Sequence, residues 1–581
     1  MLLRLLRTYS RAYRPWIIAV LIFQLTATIS TLYLPSLNAR IIDQGVARGD
    51  TDFIWRTGAV MLGVAFVQVI AAVIAVYCGS RAAMGLGRDV RRSVYRHVGS
   101  FSAREVGKFG APTLITRNTN DVQQIQMLTL MGLNFMVMAP IMCVGGIVMA
   151  LREDPGLSWL VWVSIPVMGV LLGAIVAKLM PWFRIMQDRI DGINGVLREQ
   201  ITGIRVIRAF VKERHETERF ARANRQLADI SVQIGSLFVL MFPIINMIMH
   251  IATAAVLWFG GHRVDQGLIE VGSLTAFLQY LLQILMAVMM GTFMMMMVPR
   301  AVVCAERITE VIDTAPTMQA PTHPVDPSDR HGRLEFRDVT FQYPGAEAPV
   351  LDRISFSAVP GQTLAIIGAT GSGKSSLINL IPRLFDQAAG KVTLDGVALT
   401  EYPPQELASS VGLVPQKPFL FSGTIASNLR FGRQDATDEE LWDALTVAQA
   451  DQFVREKPQG LASPISQGGT NVSGGQRQRL CIARAIVTDP RVYVFDDSFS
   501  ALDVTTDMKL REALRAVTRN STVITVAQRV STITGADQIL VLEHGRITAR
   551  GTHRELLDSS ETYREIVESQ LSAEQSLGGS R

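Results

Sequence analysis

Six apolar runs crowd the first 300 residues, and each is long enough to cross a lipid bilayer. A spanning helix needs roughly 20 predominantly apolar residues. Inside hydrocarbon no water is at hand to satisfy backbone N–H and C=O groups, so an apolar run of that length has to close its hydrogen bonds within itself, as a helix does. The runs lie near Trp16–Leu37, Thr57–Gly79, Leu128–Leu151, Leu157–Met180, Ile234–Gly260 and Gly272–Val298. They predict a membrane all-α domain of six transmembrane helices over residues 1–310. Hydrophobic residues make up 48% of the chain, yet residues 332–570 read as ordinary soluble protein. At 581 residues the chain is too long for one core, and two domains are expected.

The formal charge is +5, and its distribution matters more than its size. Met1–Pro15 carries Arg4, Arg7, Arg11 and Arg14. The loop Ser80–Met127 carries Arg81, Arg88, Arg91, Arg92, Arg96, Arg104 and Lys108, and the loop Pro181–Gln233 carries Arg184, Arg189, Arg198, Arg205, Arg208, Lys212 and Arg214. The other three connections are short and poor in cations. Excess Lys and Arg mark the cytoplasmic side, so both termini are expected there, in a multi-pass protein of the cell membrane. Basic residues gathered beside membrane segments argue against nucleic acid as a partner. The first apolar run is too long for a signal-peptide core and reads as a retained membrane helix. Cys78, Cys143, Cys304 and Cys481 have no metal-binding spacing and read as isolated thiols.

The two long basic loops continue the helical pattern of their neighbours, with breaks at Gly107–Pro112 and Thr202–Gly203. A short element at the foot of such a hairpin suits docking on another domain; a plain helical connection is the other reading. No Asp, Glu, Lys or Arg sits near the centre of a membrane run, which argues against proton coupling. Gln24, Gln68, Asn134, Asn246, His250, Gln279 and Gln283 are the polar groups at membrane depth, either lining a cavity or joining helices. The last run carries Met286, Met289, Met290 and Met294 through Met297. Flexible, polarisable thioethers suit a wall that adapts to varied apolar ligands, though consecutive positions point all round a helix and only some can face one cavity.

Residues 311–331 are polar and Pro-rich and form a linker. Strand-like runs follow at Leu334–Phe336, Val339–Phe341 and Thr363–Ile367. The last feeds Gly368-Ala369-Thr370-Gly371-Ser372-Gly373-Lys374-Ser375, then a helical pattern from Ser376. This is G-x-x-x-x-G-K-[ST] in its strand–loop–helix setting: glycines let backbone N–H groups face phosphates, Lys374 neutralises the outer phosphates, and Ser375 is a Mg²⁺ ligand. About a hundred residues on, the stretch Asn471–Asp503 joins a Gly-rich turn, an Arg-rich helix and an apolar strand that ends in Asp496 and Asp497. An acidic residue at a strand end near such a loop is a second Mg²⁺ ligand, here Asp496. The second domain is therefore an α/β P-loop nucleotide-binding domain at 332–570, with ATP and Mg²⁺ as cofactors and a tail at 571–581.

The order of these parts resembles the ATP-binding cassette (ABC) transporters, as a half-transporter of exporter architecture. Val472-Ser473-Gly474-Gly475-Gln476 is similar to the family signature, Gln416 to its Q-loop glutamine, Ser500-Ala501-Leu502-Asp503 to its D-loop, and Tyr343 to the aromatic that stacks on adenine. The resemblance implies that two nucleotide domains close head to tail, each ATP lying between one chain's Gly-rich loop, including Ser376, and the other chain's Ser473, Gly474, Gly475 and Gln476. It implies that the loop breaks are coupling helices and that Gln416 serves the metal and catalysis. Two positions depart from the family. Asp497 stands where a Glu positions the attacking water, and Gln528 stands where a switch histidine is usual. Ser466-Gln467-Gly468-Gly469 replaces a more acidic stretch. Asp497, Gln528 and Lys374 belong to one ATP site, while the signature serves the other. The expectation is one half of a heterodimer with a degenerate ATP site of its own, exporting hydrophobic or amphipathic compounds, drugs or lipids. A homodimer using Asp497 as base, an importer of lipidic or siderophore-like cargo, and an ATP-sensing regulator remain open at this level.

Overall fold

The computed structural model describes residues 1–327 and 329–578. They form two compact units, one of Met1–Ser100 with Phe109–Ala315, the other of Phe101–Lys108 with the chain from Pro316 onward.

The first unit contains six helices long and apolar enough to cross a membrane: Leu2–Val46, Thr51–Val98, Ala111–Glu153, Ser158–Thr202, Glu213–Asp265 and Val271–Asp313. The sixth runs three residues past the expected end of the domain at 310. Glu213–Asp265 has 53 residues. At 1.5 Å per residue that is about 80 Å, against roughly 30 Å of hydrocarbon, so its Arg-rich half stands clear of the apolar part. Prolines sit inside these helices at Pro35, Pro140, Pro166, Pro181, Pro243 and Pro299. Membrane helices tolerate them because neighbouring groups re-satisfy the freed carbonyls. Met168, Leu172, Met241, Ile245, Phe277, Tyr280 and Leu281 share one buried cluster that joins the fourth, fifth and sixth helices. The Tyr280 hydroxyl donates to the Leu32 carbonyl at 2.9 Å, and Ser36 donates to Glu153 at 2.9 Å. At the turn between the third and fourth helices Arg263 forks onto buried Asp154 at 2.6 and 3.0 Å.

Of the polar groups at membrane depth, Gln24 is buried, Asn134 donates to the Leu130 carbonyl at 2.8 Å, and Asn246, His250 and Gln279 are exposed on the unit's surface. The methionine run divides, with Met294 buried and Met295 exposed. All four cysteines are free.

The loop breaks are better resolved than the sequence allowed. The first lies at Gly110, whose φ of 76° stops the short helix Ala103–Phe109 before the chain restarts at Ala111. The second is at Gly203, followed by the short helix Ile204–Ala209. Within the second unit, Glu105 accepts from the Ser102 N–H at 2.8 Å, the Ser102 hydroxyl at 2.6 Å and the Thr317 hydroxyl at 2.7 Å. Burial works to raise the Glu105 carboxyl, but these donors hold it below its ordinary value.

The rest of the second unit is α/β. In chain order its strands are β1 Leu334–Phe341, β2 Leu351–Ala358, β3 Thr363–Ile367, β4 Ala389–Leu394, β5 Val397–Ala398, β6 Val411–Val414, β7 Gly423–Thr424, β8 Pro464–Ile465, β9 Val492–Asp496, β10 Thr522–Val526, β11 Gln538–Glu543 and β12 Arg546–Gly551. The central sheet has the order β12-β11-β3-β10-β9-β6. Strands β11, β3, β10, β9 and β6 are parallel, and all five residues of β9 are buried. That is why these strands read as unbroken apolar runs. An antiparallel sheet, β2-β1-β4-β5, packs its inner face into the same core. The two runs expected around Arg337 are a single strand, β1. Asp338 adopts φ 48° there and shifts the register, and Ser355 accepts from its N–H at 2.8 Å. Such a bulge interrupts the alternation without ending the strand. The tail expected from 571 begins inside the helix Glu561–Gly578.

Candidate functional site

The loops leaving the carboxyl ends of β3, β6 and β10 meet at one cavity of about 540 Å³, and β9, which lies between β10 and β6, ends beside it without lining it. In a parallel sheet this is where a ligand is held, because the loops leaving neighbouring strands part there. Gly368, Ala369, Thr370, Gly371, Gly373, Lys374, Ser375 and Ser376 line it, together with Gln416 and Gln528. The glycines are steric necessities. A Cβ at Gly368 would lie 2.1 Å from the Leu542 carbonyl oxygen, and Gly373 has φ 102° with Leu351 2.8 Å from where its Cβ would stand. Ser372 turns inward and is buried. The Lys374 ammonium donates to the carbonyls of Gly368 at 2.8 Å and Ala369 at 2.7 Å. Burial pushes its pKa down, while Asp496 and Asp497 pull the other way.

Asp496 ends β9 in register with Val526, close enough to Ser375 for the hydroxyl to favour its charged form. Burial raises its carboxyl above the ordinary range; Asp497 adds to that, and Ser375 and Lys374 oppose it. Asp497 turns the chain with φ 47°, its N–H donating to the Val526 carbonyl at 3.0 Å. Its side chain does not line the phosphate-loop cavity. It lines an adjoining groove of about 770 Å³ with Ser500, Leu502 and Gln528. Gln528 thus stands at the junction of the two. Ser498, fully buried, donates to the Val414 carbonyl at 2.9 Å and ties the end of β9 to the strand that leads to Gln416.

Tyr343 lies beside the loop, its hydroxyl 3.1 Å from that of Ser376 and its ring edge-on to Phe341 and Phe385. The signature is elsewhere. Ser473 caps the helix Gly474–Val487, accepting from the Gln476 N–H at 3.2 Å, while the Gln476 side chain accepts from the Ser473 N–H at 3.1 Å. Gln476, expected as a nucleotide contact, spends its amide oxygen in this capping box. Ser473 and Gly474 are exposed, and none of Ser473, Gly474, Gly475 and Gln476 lines the phosphate-loop cavity. An exposed N-terminus of a 14-residue helix is suited to an anion brought from outside the chain. Ile566, Ser569 and Gln570 of the last helix also line the cavity, and the sequence reading passed over them. Their only signal was the apolar spacing Tyr563, Ile566, Val567, which says that the helix docks but not where.

Two families match the chain. Residues 17–288 match the ABC transporter transmembrane region, and residues 351–500 match the family described as ABC transporter. An uncharacterized ABC transporter ATP-binding protein of Mycobacterium tuberculosis (strain CDC 1551 / Oshkosh) is 50% identical over 584 residues, covering 100% of both chains. An ATP-dependent lipid A-core flippase of Vibrio vulnificus (strain YJ016) is 28% identical over 560 residues, 96% of each chain. Among solved structures, a bacterial Atm1-family ABC exporter with ATP bound superposes with a TM-score of 0.79 over 96% of this chain and 98% of that one, at 23% identity.

Proposed function

The chain belongs to the ABC transporter family, a multi-pass membrane protein with an ATPase domain coupled to transport, and from that premise we propose that it exports hydrophobic or amphipathic compounds, drugs or lipids, as one half of a heterodimer whose other chain carries the working catalytic residues. The observation that carries this reading is Gln528 in the cavity of Lys374. A carboxamide has no titratable proton near neutrality, so it cannot act there as an imidazole does. Asp497, beside it, is one methylene shorter than Glu and lines the adjoining groove. Two weakened positions in one site support a site that binds ATP and turns it over slowly, since losing a positioned base costs about 10²- to 10⁴-fold. The exposed signature helix, capped at Ser473 and Gln476 with other first-turn N–H groups left free, supports the complementary half: it is built to complete the partner's site.

In this reading Lys374 neutralises the outer phosphates and Ser375, Gln416 and Asp496 hold Mg²⁺. The donor set fits a hard cation: hydroxyl, amide and carboxylate oxygens, with Ser375 and Gln416 on the cavity wall and Asp496 beside Ser375. The ion, when bound, offsets phosphate charge. Tyr343 offers its ring to the base. ATP-driven closure of two nucleotide domains turns the membrane cavity outward, and hydrolysis at the competent site resets it. The flippase relative, the Met-rich sixth helix and the lack of charge at membrane depth support an apolar or amphipathic cargo.

The test is ATP hydrolysis in nanodiscs by this chain alone and with a co-expressed half-transporter that carries Glu and His at the two altered positions. Turnover near zero alone and strong with the partner is expected, and Asp497→Glu with Gln528→His should raise the lone chain's rate by about 10²-fold or more. Full turnover by the unaltered lone chain, lost in Asp497→Asn, would instead make it a homodimer with Asp497 as base.

A further inference from the structure

The last helix reaches the nucleotide cavity with Ile566, Ser569 and Gln570, and the third of these grips the loop after β10. The Gln570 carboxamide spans the loop after β10: its Nε2–H donates to the Gln528 carbonyl at 2.7 Å, and its Oε1 accepts from the Val530 N–H at 2.8 Å. Both partners are main-chain groups, on either side of Arg529. The contact therefore fixes the path of the loop whatever side chain stands at 528. Its base is rigid. Tyr563, fully buried, packs with Ala527, Val530 and Ile533 in one apolar cluster, with Ile566 and Val567 against it, and the Tyr563 hydroxyl lies 2.8 Å from His553 Nδ1. The loop is thus held on one side by apolar packing and on the other by the Gln570 amide. Gln528, Ser569 and Gln570 all line the phosphate-loop cavity, and Gln528 and Gln570 also line the groove that holds Asp497.

We infer that Gln570 is a positioning residue of the nucleotide site: it straps the loop after β10 so that Gln528 is presented to the triphosphate end of the bound nucleotide. The inference rests on the reading of this cavity as the ATP site. A strap of two hydrogen bonds acts through the loop and leaves the phosphate-binding glycines untouched. Its loss should weaken a nucleoside triphosphate and spare a diphosphate, which does not extend as far towards Gln528.

The experiment uses the full-length chain in nanodiscs. Gln570→Met keeps the length of the side chain and removes both hydrogen bonds. Hydrogen exchange over Ala527–Thr532 is expected to rise about tenfold, the share of one or two exposed amide bonds. Binding of AMP-PNP should weaken by about tenfold, with ADP held within about twofold. Should the Met variant not accumulate, Gln570→Glu serves, because it keeps the acceptor for Val530 and loses the donor to Gln528. Its loop should still discriminate against AMP-PNP while the Val530 amide stays protected. Exchange no faster than wild type in Gln570→Met, or equal weakening of both nucleotides in either variant, would overturn the strap. Lys374→Ala separates the two readings: it should lose both nucleotides and leave the exchange of Ala527–Thr532 unchanged. A wild-type chain that binds neither nucleotide would sink the ATP-site reading and the triphosphate part of this one, while the exchange data would still judge the strap itself.

Discussion

Asp496 holds a negative charge where burial opposes it. Its folded-state pKa lies above its unfolded value, so the sign follows directly. The group favours folding least when ionised; its contribution falls as pH rises from the unfolded pKa through the folded one, and it stays low at neutrality. Asp496→Asn removes that cost and the metal ligand together. The melting temperature of the nucleotide-free chain at pH 7 is expected to rise by about 2–4 °C, and the gain should shrink as the pH is lowered through the raised folded-state pKa, because wild-type Asp496 then takes up its own proton. The Mg²⁺-dependent part of ATP binding should vanish. A variant no more stable than wild type at pH 7 would mean that Ser375 and Lys374 already offset the burial. The glycines act at the same scale. Gly368 and Gly373 stand where a Cβ meets a carbonyl or a leucine, so the loop's composition is decided by contacts within the protein as well as by the phosphates it is to hold.

Among the elements, the signature helix has its start written in four residues. Ser473 and Gln476 form a reciprocal capping box, which leaves other N–H groups of the first turn free to face an anion. Ser473→Ala removes the cap, at about 1 kcal/mol of local stability. Because the signature does not line this chain's own cavity, ATP affinity at that cavity should be unchanged, while hydrolysis by the assembled pair should fall by about tenfold or more. A fall in this chain's own ATP affinity would contradict the division of labour between its two surfaces. Strand β1 teaches a different lesson. Its alternation breaks at Asp338 because a left-handed residue inserts there, and a sequence pattern of period two takes a bulge for the end of a strand.

On the scale of the whole molecule, the Arg-rich stretches belong to helices that outrun the bilayer, and their placement sets an expected sidedness. A membrane-impermeant maleimide should label Arg48→Cys in intact cells and leave Arg104→Cys unlabelled until the membrane is opened. The background should be low, since Cys78, Cys304 and Cys481 are buried and Cys143, half-buried, lies within an apolar membrane run. The opposite pattern would reverse the orientation and remove the nucleotide domain from cytoplasmic ATP.

Six spanning helices, the α/β domain, the phosphate loop and the acidic strand end were all legible in the chain, because each rests on a local rule: a run of apolar residues, a glycine where φ is positive, a carboxylate after a buried strand. Tertiary structure alone decided that Asp497 faces a groove next to the Lys374 cavity, that Gln476 caps its own helix, and that Gln570 closes on the loop after β10 from 42 residues away. Those placements depend on which faces of the sheet and helices pack together. Packing is a sum over many weak contacts between distant residues, and no spacing along the chain encodes it.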